Sequence, residues 1–112
     1  MPRRNRSRET ELTATPDLSH IPEALLRLMA PDVDCRAVAA EVDARELACP
    51  LPLLKAKQGL RPLLDGELLR VWATDSGSLK DFIAFAQLTG QVLEGFDLRD
   101  GAYCYLIRKQ SS

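Results

Sequence analysis

Hydrophobic and polar positions alternate with a period of two over residues 38–43. Val38, Ala40 and Val42 face one way and Glu41 and Asp43 the other, which predicts a strand. Over residues 50–60 the period becomes helical, with Leu53, Ala56 and Leu60 inward, until Gly59 and Pro62 weaken and end the helix. Residues 67–74 return to strand spacing, Leu69, Val71 and Ala73 alternating with Leu68, Arg70 and Trp72. Ser78 followed three residues later by Asp81 has the form of a capping box. It opens a second helix whose stripe is Leu79, Phe82, Ile83 and Ala86, with Gly90 suited to its C-terminal cap. Residues 91–98 and 102–109 then read as strands joined around Asp100-Gly101, a pair favoured in tight hairpins. The order βαβαββ predicts an α/β fold of the α+β type: a two-layer sandwich in which two helices cover one face of a four-stranded mixed sheet.

These elements occupy residues 38–110, preceded by an extension, residues 1–37, that is polar, Arg-rich and punctuated by proline. Arg3, Arg4, Arg6 and Arg8 read as a solvated, disordered tip. Residues 19–29 suit a short helix with Ile21, Leu25 and Met29 on one side. It is marginal alone and is expected to cover local apolar surface rather than to dock on a partner. Leu68, Trp72 and Leu106 share the second sheet face, where they form either a dimer patch or a surface that the extension covers.

Composition narrows the class of protein only loosely. The 112 residues, 46% hydrophobic and 28% charged, suffice for one globular domain, and a net charge of −1 gives no global basic field for nucleic acid. No stretch approaches the roughly 18 apolar residues of a membrane span, and no apolar segment follows the arginines, which predicts a cytoplasmic protein with no membrane association. Three widely spaced cysteines fit a reducing compartment. They lack metal-ligand spacing, and the single histidine, His20, lies in the extension, so no metal or other cofactor is expected.

The chemistry concentrates at Cys49, which opens the segment Cys49-Pro50-Leu51-Pro52 at the start of the first helix. There the unpaired first-turn amides and the positive end of the helix dipole are expected to favour thiolate over thiol. Pro50 and Pro52 shape a rigid loop at little cost, because first-turn amides have no intrahelical acceptor. Cys35, closely preceded by Asp32 and Asp34, and Cys104, on the more open sheet face opposite Tyr103, Tyr105 and Ile107, are expected to be unreactive.

Residues 42–57, from Val42 through Cys49-Pro50-Leu51-Pro52 to Lys57, resemble the Cys-Pro-x-Pro signature of the TusA/SirA family of small sulfur carriers. The likeness continues through Gly66-Glu67, residues 71–78, Asp81-Phe82, Thr89-Gly90 and residues 105–109, covering roughly residues 38–110. The chain departs from the family pattern at Glu46, where a glycine is usual, at Ser76 where a proline is common, and at Gln91 where a histidine often follows the Thr-Gly. Glu46 is expected either to strain the backbone or to place a negative charge near Cys49.

The resemblance implies the same two-layer fold and a sulfurtransferase-type persulfide carrier of bacterial origin. In it Cys49 takes sulfane sulfur from a cysteine desulfurase and passes it to an acceptor protein, often toward 2-thiouridine in tRNA. Contact is expected with the tRNA machinery rather than with tRNA itself, because the domain lacks the clustered basic residues and stacking aromatics of an RNA reader. Asp43 and Arg45 match the family pattern just before the loop, Asp43 as an organiser of the loop and Arg45 as a contact to a partner or to the persulfide anion. Lys55 and Lys57 are either docking contacts or solvated helix charges. Two other classes remain open: a thiol redox sensor in which Cys35 or Cys104 resolves an oxidised Cys49, and a regulatory binding module that does no sulfur chemistry.

Overall fold

A computed structural model describes residues 18–110. The arginine-rich tip at residues 3–8 lies outside the described residues. The elements run α1 (Glu23–Leu26), β1 (Ala40–Ala44), α2 (Leu51–Leu60), β2 (Leu68–Ala73), α3 (Gly77–Thr89), β3 (Val92–Arg99) and β4 (Ala102–Arg108). The expected βαβαββ order stands, with α1 as a third, very short helix ahead of it. Spatially the sheet runs β1-β2-β4-β3, with β1 parallel to β2 and the other two pairs antiparallel. The hairpin between β3 and β4 turns at Asp100 and Gly101, both at positive φ (51° and 79°), as a two-residue turn of matching twist requires.

On the helix-covered face, Leu69, Val71 and Ala73 of β2 and Tyr105 and Ile107 of β4 meet Ala56 and Leu60 of α2 and Leu79, Phe82 and Phe85 of α3. Phe82 stacks on Tyr105 with centroids 4.2 Å apart, and the Tyr105 and Ser78 hydroxyls share a hydrogen bond of 2.7 Å. That bond corrects the capping box: Ser78 is buried in the core, and the N-terminus of α3 is capped instead by Asp75, whose Oδ2 accepts the Gly77 N–H at 2.9 Å. α2 runs through Gly59 to Leu60, the expected end of the helix ahead of Pro62. A Cβ on Gly59 would lie 2.8 Å from Val42 Cγ2, so the glycine lets helix and strand approach closely.

The second face is closed by the chain that precedes β1. Ile21 and Leu25 belong to the helix-side core. The backbone then passes the free edge of β3, where Phe96 N–H donates to Leu28 O and Ala30 N–H donates to Phe96 O, each at 3.1 Å. Met29 therefore leaves the expected helix stripe and bridges this edge, 36% exposed. Beyond it Val33, fully buried, packs with Leu68, Cys104 and Leu106, and Val38 joins this second cluster rather than the face of Ala40 and Val42. Residues 18–38 thus form a strap around the sheet that covers Leu68 and Leu106, and it buries Cys104 on a face that the strand pattern left open.

Arg70 fastens the strap. Its side chain is 7% exposed; Nε donates to Val33 O at 2.8 Å, a second guanidinium nitrogen donates to Arg36 O, and Nη1 lies 3.5 Å from Glu41. Arg99 holds the same segment farther along, donating to Pro31 O and pairing with Asp34 at 3.1 Å.

Candidate functional site

Because β1 and β2 are adjacent and parallel, the loops leaving their carboxyl ends lie side by side. One carries Cys49 and the other Asp75, and they are tied together: Cys49 N–H donates to Asp75 Oδ2 at 3.2 Å, and Glu46 N–H donates to Thr74 Oγ1 at 2.9 Å. Asp75 therefore accepts an amide from each loop with one oxygen and sets the height of the cysteine against the start of α3. The approach is tight. A Cβ on Gly77 would come within 2.9 Å of Cys49 Cβ and 2.8 Å of Asp75 Oδ2, so only glycine fits there.

The Cys49 thiol is exposed and donates to Asp81 Oδ2 of α3 at 2.6 Å. This reverses the expected ionisation. The hydrogen bond to Asp81, with smaller contributions from desolvation and from the charges of Asp81 and Asp75, pushes the thiol pKa up. The first-turn amides do not oppose this, because they already have acceptors. Leu51 N–H donates to Ala48 O, Leu53 and Leu54 N–H donate to Pro50 O, and Pro52 has no N–H. At this exposed sulfur the Asp81 hydrogen bond thus favours the thiol over the thiolate.

Glu46, three residues before Cys49, has φ 72°, a left-handed conformation that glycine adopts without penalty. Of the two expected consequences the first holds: the backbone is strained, whereas the carboxylates that act on Cys49 are those of Asp81 and Asp75. Glu46→Gly is expected to raise unfolding free energy by about 0.5–1 kcal/mol, the left-handed penalty less the extra entropy that glycine loses. Urea denaturation of the two proteins measures it.

The remaining site residues spread away from the sulfur. Pro50 is exposed beside Cys49, whereas Pro52 is fully buried and anchors the first turn of α2 in the core. Asp43 accepts the Arg45 backbone N–H at 3.1 Å and both Nε and Nη2 of its guanidinium, at 2.9 and 3.0 Å. The side-chain bond from Arg45, followed by the backbone bond, holds the Asp43 pKa down at about 2. The same guanidinium lies 5.7 Å from the centre of the Trp72 ring, so Arg45 is engaged on the β1–β2 surface. Lys55 is exposed on α2, and Lys57 sits over Phe85 with Nζ 5.7 Å from the ring centre. Cys35 is exposed with its thiol 3.6 Å from Asp32 O. Cys104 lies under the strap with its pKa pushed up to about 12 by burial.

Asp75 and Asp81 are the contacts that sequence reasoning did not assign to the site. The sequence signal for Asp75 was its place just before a helix. Asp81 has two sequence signals, its capping-box spacing, which points to the wrong partner, and its place in the family likeness, which assigns it no role. Among the described residues no group of three or more His, Cys, Asp or Glu is arranged to hold a metal ion, and no helix is long and apolar enough to cross a membrane.

Comparison with known proteins agrees with this architecture. The model of the family described as Sulfurtransferase TusA matches residues 40–109. A sulfur carrier protein TusA of Allochromatium vinosum is 48% identical over 69 residues, covering 62% of this chain and 91% of the relative. One from Pseudomonas syringae is 36% identical over 83 residues, covering 74% of this chain and 99% of the relative. The crystal structure of a SirA-like protein from Desulfitobacterium hafniense shares the fold, with a TM-score of 0.56 at 24% identity over 64% of this chain and 99% of that one. An exposed cysteine at the head of α2, in a two-layer α+β fold, thus stands in a chain that belongs to the sulfurtransferase TusA family.

Proposed function

We propose that the protein is a sulfur carrier. Cys49 accepts sulfane sulfur from the persulfide of a cysteine desulfurase, holds it as Cys49–S–SH, and yields it to an acceptor protein. The observation that carries this is the exposed Cys49 thiol on a loop that Asp75 and the buried Pro52 hold in place. Persulfide relay needs one reachable thiol, no metal and no second cysteine at the site. The relatives from Allochromatium vinosum and Pseudomonas syringae carry the name sulfur carrier protein, which supports the same role here. Three free cysteines suit a reducing compartment, and we place the protein in the bacterial cytoplasm. The destination to test first is the machinery that makes 2-thiouridine in tRNA, reached through protein contacts rather than by binding tRNA.

The redox-sensor alternative loses support at one of its two candidate resolving thiols, Cys104. Cys104 is buried in the cluster beneath the strap, whereas Cys49 bonds to α3, which packs on the opposite face of the sheet. Loading with [35S]cysteine and a cysteine desulfurase tests the proposal. Label should enter the protein, leave on treatment with a thiol reductant, and pass to an acceptor after removal of the desulfurase. Absence of label from the wild-type protein would contradict the carrier role.

A further inference from the structure

The thiol that must attack is held as a thiol, and the group that holds it is a carboxylate 2.6 Å away. Sulfur transfer requires the thiolate, so a proton has to leave Sγ as the new bond forms. Of the two aspartates at the site, Asp75 is committed to backbone, its Oδ2 receiving both Cys49 N–H and Gly77 N–H. Asp81 instead points an oxygen at the sulfur from the second turn of α3, half-buried and braced by the tightly packed α3 and cysteine loop. A group in that position lies within reach of the proton on Sγ.

We propose that Asp81 is a catalytic residue that takes the proton from Cys49 as Sγ attacks a donor persulfide and returns it to the donor's leaving thiolate. This rests on the carrier reading above. In the step, the Sγ–H bond breaks with its proton passing to Asp81 Oδ2, and Sγ bonds to the terminal sulfur of R–S–SH. The donor S–S bond breaks with its electron pair going to the donor sulfur, and Asp81 protonates that sulfur. The products are Cys49–S–SH and R–SH. Sulfane sulfur has moved from one thiol to another, so no external oxidant or reductant is consumed.

The proposal separates two reactions of the same sulfur. Alkylation by iodoacetamide expels iodide, which needs no proton, whereas persulfide transfer expels a thiolate that leaves faster when protonated. Asp81→Asn removes the negative charge that holds the thiol protonated and also removes the proton carrier. Its Cys49 should therefore alkylate several-fold faster at neutral pH, yet take sulfur from glutathione persulfide about tenfold or more slowly than wild type. Asp81→Glu, which keeps a carboxylate, should recover at least half of the lost uptake rate. An Asp81→Asn protein whose sulfur uptake rises together with alkylation, or stays at the wild-type rate, overturns the proposal. A wild-type protein that takes no sulfur from glutathione persulfide or from a desulfurase is a different result, which overturns the carrier reading itself.

Discussion

Replacing Cys49 by serine is expected to abolish sulfur uptake from a cysteine desulfurase while leaving the fold intact. The loss should be complete because the other two thiols are poorly placed to substitute. Cys104 is buried with its pKa raised to about 12, so almost none of it ionises or meets a donor near neutral pH. Cys35 is exposed, but it sits on the strap beside Asp32, outside the paired loops that present Cys49. The fold should survive because a serine hydroxyl can donate to Asp81 as the thiol does, and because the site is exposed. Unfolding free energy should stay within about 0.5 kcal/mol of wild type. Sulfur uptake by gel or mass assay and a denaturation curve check the two halves. Residual uptake in Cys49→Ser, mapped to Cys35, would mean that a second thiol serves as carrier.

The largest stability change is expected at Arg70, away from the chemistry. Arg70→Ala should destabilise the protein by about 3 kcal/mol, because it removes charged hydrogen bonds to the Val33 and Arg36 carbonyls and leaves the strap's polar backbone under-satisfied. Its partner Glu41 is half-exposed, so the ion pair adds little beside the carbonyl bonds. Arg70→Lys keeps the charge but loses the planar fork that reaches two carbonyls at once, and it should fall between the two. Denaturant unfolding gives the magnitude. Alkylation of Cys104 under native conditions should accelerate in Arg70→Ala, since the strap that covers that thiol is what the arginine fastens. A destabilisation below about 1 kcal/mol would show that burial of Val33 and its neighbours, rather than Arg70, holds the strap in place.

Arg70 also marks where sequence reasoning reached its limit. Its alternation with Leu69 and Val71 identified the strand and the two faces correctly, and period two alone makes an arginine on the second face look exposed. It is buried because a segment 34 to 37 residues earlier crosses that face, and nothing in local periodicity reports such a crossing. The open setting expected for Cys104 fails for the same reason, and Met29 leaves its predicted stripe where the chain pairs with the edge of β3. The hairpin at Asp100-Gly101 was legible because its backbone requirement is written in two adjacent residues.

The site shows the same division between local and distant information. The Cys49-Pro50-Leu51-Pro52 segment and the start of α2 could be read locally. Local reasoning also assigned the thiol to the field of its own helix, whereas the dominant neighbour is Asp81, which the parallel pairing of β1 and β2 and the packing of α3 bring to it from 32 residues away. Ser78 and Asp81 had the spacing of a cap, but one is turned into the core against Tyr105 and the other toward the sulfur. Tertiary packing used both side chains before the helix terminus could.

Sulfur loading of Cys49 is read most directly by intact-mass spectrometry of the wild-type protein after incubation with a cysteine desulfurase and cysteine, followed by peptide mapping without reductant. A carrier should gain a single sulfur atom, held on the peptide that contains Cys49 and removed by thiol reductant. A protein that gains no sulfur while Cys49 remains open to alkylation, or one that carries its sulfur on another cysteine, would contradict the carrier role of Cys49.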